Sequence, residues 1–241
     1  MIHVVDFHSH ILPGIDDGSS SVEESVSMLK MAAEQGIRQM IATPHFYATQ
    51  DYLERFLKRR KEAEKKLCDA MVEQPDLPRI AVGAEVLFFP GISETDSLTE
   101  LTIAESNYIL VEMPQSAWTG KMYRELEAIY RNYGITPIIA HVDRYLSPLN
   151  ARGITERLMD LPVLVQANAS FFLNRWTEGL AMRMMKKGQI HLLGSDCHNM
   201  RHRPPRLGEA VLRIQKRLGK DSMDTVMYWS EQILQDECIR K

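Results

Sequence analysis

At 241 residues, with 25% charged and 44% hydrophobic side chains and a net charge of −3, the chain can bury one sizeable core and has no positive surplus to track a nucleic-acid backbone. Its three cysteines, Cys68, Cys197 and Cys238, show no paired spacing, which points to a reducing compartment without a disulfide framework. No apolar run reaches about 18 residues, and the N-terminus enters a strand pattern directly, so the expectation is a soluble, cytoplasmic, single domain over residues 1–241 with no signal peptide or membrane insertion.

Val4, Val5 and Phe7 begin a short buried strand that runs through Asp6-Phe7-His8-Ser9-His10. Side chains on a strand repeat every second residue, so His8 and His10 point the same way. Pro13-Gly14 then turns the chain towards Asp16 and Asp17. Ser21 and Glu24 have the spacing of a capping box, Val22, Val26, Leu29 and Ala33 follow at helical spacing, and Gly36 ends that helix. Residues 37–43 read as a second strand, ending at Pro44-His45. Residues 51–74 form a charged amphipathic helix, with Leu53, Phe56, Leu57, Ala63 and Leu67 inside and the run at 58–66 as a solvated face. Further strands are expected at 79–86, carrying Glu85, and at 107–113, carrying Glu112. A helix at 119–133, closed by Gly134, precedes a fifth strand at 135–141, ending in His141. A helix at 150–160, a strand at 163–167, a helix at 172–187 closed by Gly188, and a seventh strand at 190–195 lead into Asp196-Cys197-His198. Helices at 206–218 and 223–234 complete the pattern. Alternating strands and helices indicate a parallel α/β architecture.

His10, His45, Glu85, Glu112, His141 and Asp196 all fall at or just past the C-terminal end of a predicted strand. In a parallel barrel those ends share one mouth, where active sites are built. A glutamate within an apolar strand, as in Asn107-Tyr108-Ile109-Leu110-Val111-Glu112-Met113, is costly unless paired or bound to a cation. Imidazoles and carboxylates gathered this way suit a multinuclear site for manganese, zinc or iron.

The ordered set DFHSH, TPH, GAE, VEMP, AHVDRY and GSDCH resembles the polymerase and histidinol phosphatase (PHP) family of phosphoesterases, nearest to its capsule and exopolysaccharide tyrosine phosphatases. The resemblance implies a distorted (β/α)7 barrel, in agreement with the seven strands, and three metals, manganese first. It would place His8, His10, Glu85 and Asp196 on one metal, Glu85 again with Glu112 and His141 on a second, and Asp17, His45 and His198 on a third. Asp16 would then stand beside the ligands. Two positions depart from the usual forms, Val142-Asp143 and Cys197, and neither is a ligand position. The implied activity is hydrolysis of phosphotyrosine on a protein, specifically a bacterial tyrosine kinase that regulates polysaccharide synthesis, by attack of metal-bound hydroxide. The alternative within the same family is a histidinol-phosphate phosphatase.

Arg144 and Arg203 are the candidates for holding the phosphate, and His198 is a candidate proton donor besides a ligand. Tyr47, Phe46 and Trp118, in loops after strands, could frame an aromatic substrate. Cys197 and Arg203 match the Cys-x5-Arg spacing of cysteine-dependent phosphatases. The stretch lacks glycine, runs into Pro204-Pro205, and places Asp196 beside the thiol, all of which oppose a thiolate nucleophile.

Overall fold

The computed structural model describes residues 4–146 and 151–239. Among them are nine strands, β1 (Val5–Ser9), β2 (Gln39–Ala42), β3 (His45–Phe46), β4 (Arg79–Val82), β5 (Glu85–Leu87), β6 (Tyr108–Glu112), β7 (Thr136–Ile139), β8 (Leu164–Asn168) and β9 (Leu192–Gly194). All pair in parallel, in one ladder β1-β2-β4 and a second β3-β5-β6-β7-β8-β9. A bridge between Ser9 and Cys197 links the two, with the His10 amide donating to the Cys197 carbonyl at 2.9 Å and the Asp196 amide to the His8 carbonyl at 2.8 Å. The result is a curled parallel sheet.

The strand expected at 79–86 is split into β4 and β5, and the one expected at 37–43 is β2 alone, with β3 added beyond its end. The chain leaves the first ladder at Thr43-Pro44 and again at Gly83-Ala84, then joins the second at His45 and Glu85. Pro44 has no N–H for a ladder but offers its carbonyl to the Glu85 amide at 3.0 Å. A Cβ on Gly83 would lie 3.1 Å from the Ile103 side chain and 3.2 Å from its Cα, so the chain passes close to Ile103 at that crossing.

The helices are α1 (Val22–Glu34), α2 (Leu53–Met71), α3 (Gly120–Tyr133), α4 (Ala151–Met159), α5 (Ala169–Leu173), α6 (Glu178–Lys186), α7 (Leu207–Leu218) and α8 (Asp224–Ile239). Ser21 caps α1 as its spacing suggests, while the Glu24 carboxylate accepts from Ser20 rather than closing the box on Ser21. The helix expected at 172–187 is two helices. Asn174 Oδ1 accepts from the Trp176 amide and the Thr177 hydroxyl donates to the Phe171 carbonyl, a local alternative that ends α5. The helix expected at 150–160 is α4; residue 150 and His3 lie outside the described residues. Between β5 and β6 the chain makes 3-10 turns at Ile92–Glu94, Asp96–Leu101 and Ile103–Glu105 instead of a helix.

Period-two alternation sorts the strand residues into two cores. Ile109, Val111, Ile139, Val165 and Leu193 pack towards the helices. Val5, Phe7, Ile41, Leu110, Ile138, Leu164 and Leu192 pack together inside the curl, joined by Ile233 of α8. Two residues further along the inner face, Leu110 gives way to Glu112 and Leu164 to Gln166. His45 and Glu85, register partners in β3 and β5, stand on that face too, because Phe46, Ala84 and Val86 belong to the outer core. The inner face is apolar within the sheet and polar at the C-terminal strand ends.

Candidate metal centre

Glu85 lies at the middle of this polar end, 1% exposed. Its Oε2 is 3.2 Å from His8 Nε2, 3.3 Å from His10 Nε2 and 3.0 Å from His45 Nδ1, and its Oε1 is 2.7 Å from His141 Nε2. Glu112 Oε1 lies 3.4 Å from His141 Nε2. Asp196 Oδ1 approaches His8 and His10 at 3.5 and 3.6 Å. Asp17, at 68% exposure the outermost member, is 3.4 Å from His45 Nε2 and 3.6 Å from His198 Nε2. The nine residues expected as ligands thus stand in one cluster. Within it, three overlapping groups bring one ligand atom from each member within 4.8 Å of the others: His10, Asp17, His45 and His198; His8, His10 and Glu85; His45, Glu85 and Glu112.

The donor set suits cations. His8 Nδ1 donates to Gln166 Oε1 at 3.3 Å and His10 Nδ1 to Asp16 Oδ2 at 2.8 Å. With those protons on Nδ1, each ring turns its Nε2, the two 3.1 Å apart, to the space that Glu85 Oε2 also faces, where a bound cation would take the place of a second ring proton. Glu85 Oε2 and His45 Nδ1 are buried and lack a hydrogen-bond partner despite their closeness, because their alignment does not suit a hydrogen bond. Acceptors aimed at a common point are what a hard or borderline metal ion requires.

The field of the centre acts in the same sense. Burial resists charge on His10, but Asp16 and Glu85 outweigh it and push its pKa up to about 10. His141 is likewise buried, and hydrogen bonds to Glu112 and Glu85 push it up to about 9. Asp16, partly desolvated, is brought down to about 2 by His10. Burial raises Glu85 and Asp196, yet the surrounding imidazoles hold both below the usual carboxylate range. His198 moves the other way, to about 4, through burial and the nearby charges of His10 and Arg203. Its Nδ1 donates to the Asp196 carbonyl at 3.1 Å and its Nε2 accepts from Arg203 Nη1 at 2.8 Å, so the ring presents a lone pair rather than a proton.

Arg144 follows His141 on a 3-10 turn, Val142–Tyr145, and Arg203 closes the loop after β9. Both reach the same carboxylate oxygen, Asp196 Oδ2, at 2.5 and 2.6 Å, and both remain partly exposed over the cluster. Arg206, the residue just before α7, pairs instead with Glu209 in the first turn of that helix. His141 and Asp196 adopt positive φ, 32° and 53°, a backbone strain that persists where surrounding contacts impose it.

Several supporting residues escaped the sequence reading. Asp6 accepts from the Ser195 amide at 2.8 Å and the His8 amide at 3.2 Å, tying β1 to the chain after β9. Gln166 Oε1 accepts from the His141 amide at 2.6 Å besides His8, and its Nε2 donates to Asn168 Oδ1 at 3.1 Å. Asn168 Nδ2 donates to Asp196 Oδ2 at 2.8 Å. The Tyr145 hydroxyl joins the Met113 amide to His141 Nδ1. The signal for Gln166 was a polar residue inside an apolar strand, the same signal that marked Glu112. A Cβ on Gly194 would stand 2.5 Å from His8 Cβ, so the absence of a side chain there lets β9 approach the centre.

Of the three aromatic candidates, Phe46 packs on Phe56 in the core. Trp118 is occupied by Tyr123, Tyr145 and the Pro114 carbonyl. Tyr47 alone stays beside the centre, stacked on His45 at 5.2 Å and 20°. Cys197 is fully buried among Asp6, Ser195 and Asp196, and burial pushes its thiol pKa far up, which excludes a thiolate nucleophile. His191 is a structural residue that accepts from the Val165 amide at 3.0 Å.

A family model described as capsular polysaccharide synthesis, CpsB/CapC, matches residues 4–235. The chain is 29% identical to the tyrosine-protein phosphatase CpsB of Streptococcus pneumoniae, covering 98% of this chain and 100% of that protein. It is 24% identical to the tyrosine-protein phosphatase YwqE of Bacillus subtilis, covering 98% and 93%. Among solved structures, one from the work on YwqE of Bacillus subtilis and CpsB of Streptococcus pneumoniae, described there as unique metal-dependent tyrosine phosphatases, superposes with a TM-score of 0.86. It is 23% identical, covers 97% of this chain and 95% of its own, and establishes the common fold.

Proposed function

Because the chain belongs to the CpsB/CapC capsular polysaccharide synthesis family, we propose that it is a metal-dependent protein-tyrosine phosphatase, as its relatives are named. The observation that carries this reading is the convergence of His8, His10, Asp17, His45, Glu85, Glu112, His141, Asp196 and His198 beneath two arginines. We read the nine ligands as serving three metals, manganese first, on a distorted (β/α)7 barrel of one domain. Metals bound there supply Lewis-acid polarisation of phosphoryl oxygens and a source of hydroxide near neutral pH.

The chain's own side chains do the rest. Asp16, Gln166 and Tyr145 hold His10, His8 and His141 in fixed orientations through their Nδ1 atoms. Arg144 and Arg203, which meet at Asp196 Oδ2 and stay partly exposed over the cluster, neutralise equatorial phosphoryl oxygens as charge develops on them. A tyrosyl group, with a pKa of about 10, departs without a strong general acid, which fits a site where His198 presents a lone pair. The cellular substrate on this reading is a cytoplasmic bacterial tyrosine kinase that governs polysaccharide synthesis.

The test is a substrate panel on metal-stripped, manganese-reloaded enzyme, comparing a phosphotyrosine peptide, a phosphoserine peptide and L-histidinol phosphate. A clear preference for phosphotyrosine is expected. Preferential turnover of histidinol phosphate would replace this reading with the small-molecule one.

A further inference from the structure

A cleft of about 460 Å³ opens from Asp17 and His45 and runs towards α2, lined by Tyr47, Gln50, Arg55 and Arg59 among others. A second cleft, of about 370 Å³, opens from Arg144 and Asp196 on the side of the loop after β9. Tyr47 is the only Phe, Tyr or Trp among the described residues that lines either of them. Its backbone is fixed, because its carbonyl accepts from the Gln50 amide at 2.9 Å and the Asp51 amide at 3.0 Å. Its ring is fixed on one face by His45. No residue among those described hydrogen-bonds its hydroxyl. A rigid, partly exposed ring one imidazole away from the candidate metal centre presents an aryl-sized surface beside it.

The charged groups of the same cleft divide sharply. Asp16 is held by His10 and by the His45 and Gly18 amides. Asp51 is engaged by Arg59, whose guanidinium also donates to the Ile15 carbonyl at 3.2 Å. Asp17 faces His45 and His198. Arg55, one helical turn before Arg59 on α2, has no carboxylate within ion-pair reach among the described residues. Its guanidinium is the cleft's uncommitted charge, and a planar fork of donors suits a carboxylate.

We propose that this cleft is the specificity subsite of the enzyme: Tyr47 carries the tyrosyl ring, and Arg55 binds a carboxylate on the adjoining residue of the same peptide. The preferred substrate is then phosphotyrosine beside aspartate or glutamate. The inference rests on the phosphotyrosine-phosphatase reading above, and it adds the sequence context that reading leaves open. The volume suits it, since side-chain and small-ligand sites begin at roughly 300 Å³.

The experiment uses full-length, manganese-loaded enzyme and three peptides: phosphotyrosine flanked by glutamate, phosphotyrosine flanked by alanine, and phosphoserine flanked by alanine. Tyr47→Ala is expected to raise KM for both phosphotyrosine peptides roughly 3- to 10-fold, the range of an aromatic pair, to leave phosphoserine turnover near its starting value, and to keep the metal content. Tyr47→Phe is expected to restore the phosphotyrosine KM. Arg55→Glu is expected to raise KM only for the glutamate-flanked peptide. Equal losses on phosphoserine and phosphotyrosine, or loss of metal in Tyr47→Ala, would make Tyr47 a support for His45 and overturn its role. An Arg55→Glu enzyme that still prefers the glutamate-flanked peptide, or a wild-type enzyme with no such preference, would overturn the role of Arg55. Wild-type enzyme inactive on every phosphotyrosine peptide would instead defeat the phosphatase reading itself, a result distinct from the others.

Discussion

Glu85 concentrates the electrostatics of the centre in one side chain. A buried carboxylate costs several kcal/mol unless its charge is met, and Glu85 is met by four imidazoles. That makes Glu85→Gln a sharp probe, because the amide keeps the volume and loses the charge. One of its two polar ends also becomes a donor facing imidazole nitrogens. The expected result is a folded protein that retains less than half of the wild-type metal after gel filtration and has lost nearly all phosphatase activity. Elemental analysis and the circular dichroism spectrum check the two halves. Full metal content in the folded variant would remove Glu85 from the ligand set. This residue was legible in the sequence for a physical reason, since an acid in an apolar strand has few bland explanations. Gln166 gave the same signal more faintly, because a neutral amide carries a smaller burial cost and can be satisfied by backbone.

At the scale of elements, what the sequence shows is set by periodicity, and what it hides is set by contacts distant in the chain. The strands and helices were legible wherever alternation or helical spacing ran long enough. The crossings at Pro44 and Gly83 were hidden, because a ladder switch depends on the neighbouring strand. The charged run at 58–66 reads as a solvated face. Yet Arg60 within it donates to the carbonyls of Gly83 and Glu100, both at 3.0 Å, which pins the crossing just before Glu85. The loop after β9 is a similar case. Asn199 Oδ1 accepts from the amides of Arg201, His202 and Arg203 at 3.0, 2.7 and 3.3 Å, and the His198 and Asn199 amides both donate to the Arg203 carbonyl. One side chain therefore organises the turn that aims Arg203 inward. Asn199→Ala is expected to lower kcat/KM roughly 10-fold, the cost of displacing a positioned group, while the metal content stays at the wild-type level. Unchanged kcat/KM would mean that Pro204-Pro205 and the backbone alone hold the loop.

On the scale of the molecule, the centre is also a fastening. Its side chains come from β1 and the loop after it, from β3, β5 and β6, from the turn after β7 and from the loop after β9, so both ladders and the bridge that closes the curl meet there. No helix among the described residues is long and apolar enough to cross a membrane. The cluster gathers Asp16, Asp17, Glu85, Glu112 and Asp196, five acids of a chain whose net charge, these included, is −3. Ions that bind these groups only in the folded state shift the folding equilibrium by mass action, about 2.7 kcal/mol for one site at 100-fold excess over Kd. For a chain of this length each kcal/mol moves Tm by roughly 2–4 °C. Chelation should therefore lower Tm by roughly 5–10 °C, and manganese should restore it. The Glu85→Gln protein should respond much less to chelator than the wild type, because only the group of Asp17, His45 and His198 keeps its ligands unchanged. Calorimetry on the two proteins, each with and without manganese, separates this from a general salt effect, which would move both alike. A wild-type Tm indifferent to chelator, with the metal shown to be gone, would mean that the hydrogen bonds of Asp6, Gln166 and Asn168 hold the mouth together unaided.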